Sequence, residues 1–216
     1  MKIGVLGTGM VGKAHATRLI GLGHEVMMGS RTADNPAASA WAAAHGDLAT
    51  HGTFAEAAAY GDLLVNATAG ASTLAAMEMA GAANLAGKVM IDISNPLDYS
   101  RGMPATLSVC NTDSLGEQIQ RSFPDLRVVK TLNTMNCEVQ VDPSTVPGSH
   151  TVFVCGDDQA AKQRAVELLR SYGWSAGDII DLGDITASRG AEMILPLWLR
   201  VWPVLGTGAF NFKVVR

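Results

Sequence analysis

The stretch Val5-Leu-Gly-Thr-Gly-Met-Val-Gly-Lys-Ala-His-Ala-Thr-Arg-Leu-Ile-Gly-Leu-Gly-His-Glu-Val-Met-Met-Gly-Ser-Arg-Thr32 decides the fold. An apolar run, residues 2–6, leads into Gly7-Thr8-Gly9-Met10-Val11-Gly12, which has the spacing GxGxxG. Gly7 allows a tight turn, Gly9 lets a pyrophosphate approach the backbone, and Gly12 lets a helix pack closely on the preceding strand. The helix that follows would offer its free N–H groups and positive dipole end to that anion. The pattern counts because it follows a strand and opens a helix. It predicts dinucleotide binding at Gly7, Thr8, Gly9, Met10 and Val11.

The end of the same stretch selects the dinucleotide. About 20 residues beyond the loop, an NAD-binding fold places an acid against the ribose 2′-hydroxyl. This chain has Ser30, Arg31 and Thr32 there instead. A carboxylate would repel a 2′-phosphate, whereas a guanidinium between two hydroxyls would bond one. The expected coenzyme is NADP(H).

Working outward, strands and helices alternate. Strands are expected at residues 24–28, 49–50, 63–67, 88–93, 127–132, 151–155 and 178–182. Helices are expected over 35–45, 53–60, 72–82, 114–122 and 157–172, with a last long one from near Thr186. Thr53 and Glu56 form a capping-box pattern. Residues 94–111 read as loop and "VDPSTVPGSH", 141–150, as irregular. This order implies an α/β fold, a doubly wound parallel sheet with helices on both faces. Residues 1–150 form the expected NADP-binding domain, and 151–216 a small C-terminal strand–helix extension that completes the sheet and covers the cleft.

Ligands of such sheets bind beyond the carboxyl ends of the strands. Ala67-Thr68-Ala69-Gly70, Ser94-Asn95-Pro96 and Asn133-Thr134-Met135-Asn136 all fall there. Small neutral residues suit a flat ring lying close to backbone, so Ala67, Thr68, Ala69, Asn95 and Asn133 join the expected cofactor site. A proton carrier is harder to find. Tyr60, Tyr99 and Tyr172 lack a lysine four residues on, and no GxSxG elbow occurs. His15, His24, His45, His51 and His150 are scattered, with His15 expected on a helix surface or in packing. No catalytic side chain and no metal site is assigned. Hydride transfer between nicotinamide and another flat redox ring fits this scarcity, because the cofactors then carry the chemistry.

Composition narrows the class. The 216 residues are 48% hydrophobic and 17% charged, with net charge −4, against a nucleic-acid or membrane-surface binder. Cys110, Cys137 and Cys155 stand far apart, as reduced thiols in a cytoplasmic protein would. No signal peptide is visible. The apolar stretch Met193–Phe210 carries Arg200, two prolines and two glycines, so it reads as a buried or interface helix, not a membrane span.

The opening GTGMVGKAHATRLIGLGHEVMMGSRT, the later VFVCGDDQAAKQRAVELL and the terminal GTGAFNFK resemble the NADPH-dependent coenzyme F420 reductases. The resemblance implies a Rossmann domain, NADP at Gly7–Val11 and Ser30–Thr32, and a homodimer. It also implies a deazaflavin stacked on the nicotinamide near Asn133–Cys137 and the last helix. Where that family commonly has histidine followed by Thr-Ile-Pro, this chain has Asn133-Thr134-Met135-Asn136. The acceptor is therefore expected to be coenzyme F420 or a flavin-like ring. Reduction of a small carbonyl or imine, and a non-enzymatic NADP(H)-sensing module, stand as alternatives. Arg189, Arg200, Lys213 and Arg216 could meet an anionic acceptor tail. Trp198, Trp202, Phe210 and Phe212 could wall a ring pocket, or bury a core or dimer contact.

Overall fold

A computed structural model describes residues 1–215; Arg216, one of the basic residues named above, lies outside the described residues. The first half alternates as β1 (Lys2–Leu6), α1 (Met10–Gly21), β2 (Glu25–Ser30), α2 (Pro36–His45), β3 (Ala49–Thr53), α3 (Phe54–Tyr60), β4 (Leu63–Asn66), α4 (Thr73–Ala80), α5 (Ala82–Leu85) and β5 (Val89–Asp92). A short hairpin follows, β6 (Leu97–Asp98) with β7 (Thr106–Leu107). The chain continues through α6 (Leu115–Ser122), β8 (Arg127–Thr131), α7 (Cys137–Val141), β9 (Val152–Cys155), α8 (Gln159–Tyr172), β10 (Ile179–Asp181) and α9 (Ser188–Leu205).

Local chemistry sets the boundaries. The Asn35 side chain accepts from the amides of Ala37 and Ala38, and Pro36 opens α2 where its missing N–H costs nothing. The capping box at α3 is complete: the Glu56 amide donates to Thr53 Oγ1, and the Thr53 amide donates to Glu56 Oε2. Gly173, with φ of 109°, closes α8 in the left-handed conformation that a side chain disfavours.

The main sheet runs in the order β10-β9-β8-β5-β4-β1-β2-β3. Its central strands carry continuous apolar runs because both faces are covered. One core layer holds Ile3, Val5, Leu19, Met28 and Val129; the opposite layer holds Leu6, Leu64, Met77, Met90 and Ile119. Six strands, β8 through β3 in that order, are parallel. The last two depart from the expected all-parallel sheet: β9 pairs antiparallel with β8, and β10 is parallel to β9. The cause lies in the β8–β9 connection. It holds only the five-residue α7 and a short 3₁₀ turn, so it returns at the rim where β8 ends instead of crossing back over the sheet. The helix α7 and the hairpin β6–β7 fall in segments whose composition gave no regular signal.

Candidate functional site

The order of strands reverses direction between β1 and β4, which places the binding crevice beyond their carboxyl ends. The glycine loop sits there, tied to its neighbours. Gly7 has φ of 121°, and its amide donates to the Gly29 carbonyl at 3.0 Å. A Cβ on Gly7 would meet the Ala67 carbonyl oxygen at 2.6 Å, and one on Gly12 would meet the Gly7 carbonyl oxygen at 2.1 Å. Gly9 has no atom within 4 Å of where its Cβ would stand. Two of the glycines are thus demanded by the chain's own packing. The third leaves open space before the first turn of α1, the cradle that an approaching pyrophosphate needs.

Next to this loop is a cavity of ≈ 240 Å³. Val11, Ala67–Ala71, Ser94, Asn95, Leu97 and Tyr99 are among its walls. Among the described residues no carboxylate, histidine or lysine lines it. Asn95 reaches across to the end of β8. Its Nδ2 donates to the Asn133 carbonyl, and Asn133 Nδ2 donates back to Asn95 Oδ1, both at 2.9 Å. Asn133 follows Leu132, a buried residue with φ of 62°. A left-handed leucine is a strained turn that the surroundings must hold. Asn133 Oδ1 is buried and has no hydrogen-bond partner among the described residues.

On the other side of the glycine loop, β2 ends in Ser30-Arg31-Thr32. Ser30 is buried and its hydroxyl donates to the Thr32 carbonyl at 2.5 Å, so it shapes the turn. Arg31 and Thr32 are exposed, and among the described residues Arg31 makes no ion pair. The expected positions therefore form a row along the ends of β8, β5, β4, β1 and β2. Four strand spacings make that row roughly 19 Å long. Val11, Ala67–Ala69 and Asn95 are brought together at the cavity with Gly7–Met10 beside it, Asn133 is joined through Asn95, and Ser30–Thr32 stands at the far end.

Several groups near the site escaped the sequence reading. Tyr99 and Leu97 line the cavity from the hairpin. Beneath it lies a buried ionic cluster. Lys130 Nζ contacts Asp92 Oδ2 at 2.6 Å and Glu192 Oε1 at 2.8 Å, and donates to the Ser94 carbonyl at 2.7 Å. A lysine inside the apolar strand Arg127–Thr131 was the available signal, since such a charge is buried only when paired. The partners came from other elements and were invisible.

The last segment resolves two other expectations. Arg189 pairs with Glu117, its Nε donating to Oε2 at 2.8 Å, so it serves that contact and not the cleft mouth. Arg200 and Lys213 are exposed. Trp198 stacks on Phe210 with centroids 5.1 Å apart and packs with Leu97, Ala105, Leu195 and Leu199 as a small core. His15 is fully buried on α1: Tyr172 Oη lies 3.1 Å from its Nδ1, and Gln140 Oε1 lies 3.0 Å from its Nε2. Burial lowers its pKa to about 4, against the opposing hydrogen bond to Gln140 Oε1.

Comparison with known proteins agrees with this geometry. Residues 2–96 match the family described as NADP oxidoreductase, coenzyme F420-dependent. The F420-dependent NADP reductase of Methanothermobacter marburgensis is 32% identical over 93% of this chain and 92% of its own length. A crystal structure assigned as an F420-dependent NADP reductase from Arthrobacter sp. FB24 is 55% identical, covers 100% of both chains and superposes with a TM-score of 0.94. Metalloreductase STEAP3 of Rattus norvegicus is 31% identical over 97% of this chain. The chain spans only 40% of that relative's length. Glycine loop, strand order and end-to-end likeness agree: the chain belongs to the F420-dependent NADP reductase family.

Proposed function

We propose that this chain is an oxidoreductase that transfers hydride between NADP(H) and coenzyme F420. The observation that carries the reading is the row of strand ends: an open glycine cradle, a neutral cavity on one side and an exposed arginine on the other. NADPH, when bound, supplies the hydride. The protein's part is placement. The α1 amino terminus and the Gly9 opening hold the pyrophosphate. Arg31 and Thr32 hold the 2′-phosphate by charge-assisted bonds, with Ser30 fixing the turn that presents them. Ala67, Thr68, Ala69 and Asn95 bound the nicotinamide cavity with neutral surface. Asn133, locked to Asn95, sets the edge of the cavity toward the second ring. A hydride passing between two rings needs orientation and exclusion of water more than a side-chain acid or base.

A flavin as acceptor is the second reading, supported by Asn133 in place of the family's histidine and by the likeness to a metalloreductase. The exposed apolar side chains Met193, Leu197, Trp202, Val204 and Leu205 on α9 support a homodimer. Residues 151–216 then act as the part that covers the cleft. No helix among the described residues is long and apolar enough to cross a membrane. Three free cysteines fit the reducing cytoplasm, where we place the protein.

The test follows NADPH absorbance while F420, FMN, FAD, riboflavin and a carbonyl panel are offered in turn. Turnover with F420 is expected. Turnover with carbonyls alone, or tight binding with no acceptor used, would refute the proposal.

A further inference from the structure

The buried ionic cluster has no part in binding or hydride transfer as described, yet its bonds lead to the cavity wall, to α9 and to the start of α6. Lys130 Nζ donates to the Ser94 carbonyl and pairs ionically with Asp92 and Glu192. Asp92 Oδ1 accepts from the Ser94 amide at 3.1 Å, the Ser94 hydroxyl at 2.7 Å and Asn66 Nδ2 at 2.8 Å. Asn66 Oδ1 in turn accepts from the Thr68 amide and hydroxyl, at 3.2 and 2.7 Å. Thr68 and Ser94 are both cavity residues. In the other direction, Glu192 accepts from the amides of Leu115 and Gly116 at 2.9 and 3.0 Å, the first turn of α6.

Stability alone is a poor reason for this arrangement. Desolvating three charges costs about what their attraction returns, and neutral side chains of similar size pack as well. Burial works to lower the Lys130 pKa, but Asp92 and Glu192 outweigh it and raise it, so the ammonium stays charged. What a charged hub adds is direction. The ammonium bonded to the Ser94 carbonyl between two carboxylates, and an Asp92 oxygen that accepts three donors, tie Ser94 and, through Asn66, Thr68 to the cluster.

We infer that Lys130, Asp92 and Glu192 are positioning residues, a buried linkage through which α9 holds the Ser94 and Thr68 walls in register with the nicotinamide. The inference rests on the NADP(H) reading of the cavity. Helix α9 grips that cavity twice. Glu192 holds the back wall through Lys130. Near the other end, Trp198 and Leu199 pack against Leu97, whose hairpin also brings Tyr99 to the mouth. Loss of Glu192 would slacken one grip and leave Gly7–Val11 and Ser30–Thr32 untouched.

The experiment uses the full chain with NADPH and with 2′-phospho-ADP-ribose, which lacks the nicotinamide. Glu192→Gln and the neutral triple variant D92N/K130L/E192Q are compared with the parent; the triple variant leaves no charge buried alone if the single one folds poorly. Both variants should bind 2′-phospho-ADP-ribose within threefold of the parent. Their bound NADPH should lose the altered nicotinamide fluorescence that the parent's shows. Single-turnover hydride transfer should fall at least tenfold, with little change in the KM for NADPH. Parent-like fluorescence and transfer rate in a folded variant would overturn the inference alone. Parent protein that binds NADPH no better than 2′-phospho-ADP-ribose, with free-like emission, would overturn the cavity reading and the inference with it. Hydrogen exchange on the parent needs no variant. NADPH, but not 2′-phospho-ADP-ribose, should slow exchange at Leu115 and Gly116, and equal effects of the two would again count against the linkage.

Discussion

Gly9 and Gly12 lie three residues apart and answer to different constraints. A methyl group on Gly12 would stand 2.1 Å from the Gly7 carbonyl, so Gly12→Ala must displace the loop. Gly9 has φ of −75°, ordinary for any residue, and open space around it. Gly9→Ala should therefore leave the melting temperature within about 2 °C of the parent, since 1 kcal/mol shifts a chain of this size by about 2–4 °C. Its Kd for NADPH should nevertheless rise about tenfold or more, the equivalent of about 1.4 kcal/mol. Calorimetry beside a thermal melt separates the two effects, and matched losses of both would refute the cradle. At the other end of the row, Arg31→Asp should raise the Kd for NADPH by about tenfold or more while changing that for NADH far less. Equal losses would show that Arg31 does not read the phosphate. Both residues were legible because each belongs to a local pattern at a strand end. The left-handed Leu132 was not, since nothing in Thr131-Leu132-Asn133 asks for a positive φ; the turn is imposed by the Asn133–Asn95 clamp and the packing around it.

Among the elements, α3 shows how far local chemistry reaches. Its capping box was visible as Thr53 and Glu56, and both of its bonds form. Thr53→Ala removes the acceptor of the Glu56 amide and should cost about 1 kcal/mol, a fall of about 2–4 °C in a reversible melt. An unchanged melting temperature would mean that α3 is held by its core face alone, through Phe54, Ala57 and Ala58. The α9 helix could be placed near Thr186, and its apolar composition pointed to burial. Its partners could not be read, because Glu192 reaches Lys130 and α6 across the chain. The hairpin β6–β7 was hidden for a similar reason. Two-residue strands carry no period, and this pair is held in place by the aromatic packing of α9.

For the whole molecule, the sheet was legible through six strands and then misleading. Alternation of strand and helix fixes a parallel order only while each helix crosses the sheet, and α7 is too short to do so. Across the join between halves, His15 on α1 meets Gln140 on α7 and Tyr172 on α8. Gln140 Nε2 donates to the Leu132 and Met135 carbonyls, so its Oε1 is the acceptor and His15 Nε2 carries the proton. Nδ1 then accepts from the Tyr172 hydroxyl, and the imidazole is neutral. Its folded pKa, about 4, lies below the unfolded value of about 6.5. The unfolded chain thus binds the extra proton first, and stability should fall as pH drops from about 6.5 toward about 4, by up to about 3 kcal/mol. Denaturant midpoints at pH 7 and pH 5 measure this, and His15→Gln should flatten the slope; an equal slope in that variant would assign the loss to another imidazole such as His24, whose pKa is lowered by burial and the nearby amino terminus.

The reversal at β9 has a further consequence. Because β9 and β10 run opposite to the coenzyme-binding strands, the turns that leave them, around Asp157 and around Leu182, open on the underside of the sheet. Both turns stand apart from the cavity lining, and the one around Leu182 leads into α9. A probe grafted in the turn before α8 should therefore leave the affinity for the coenzyme unchanged.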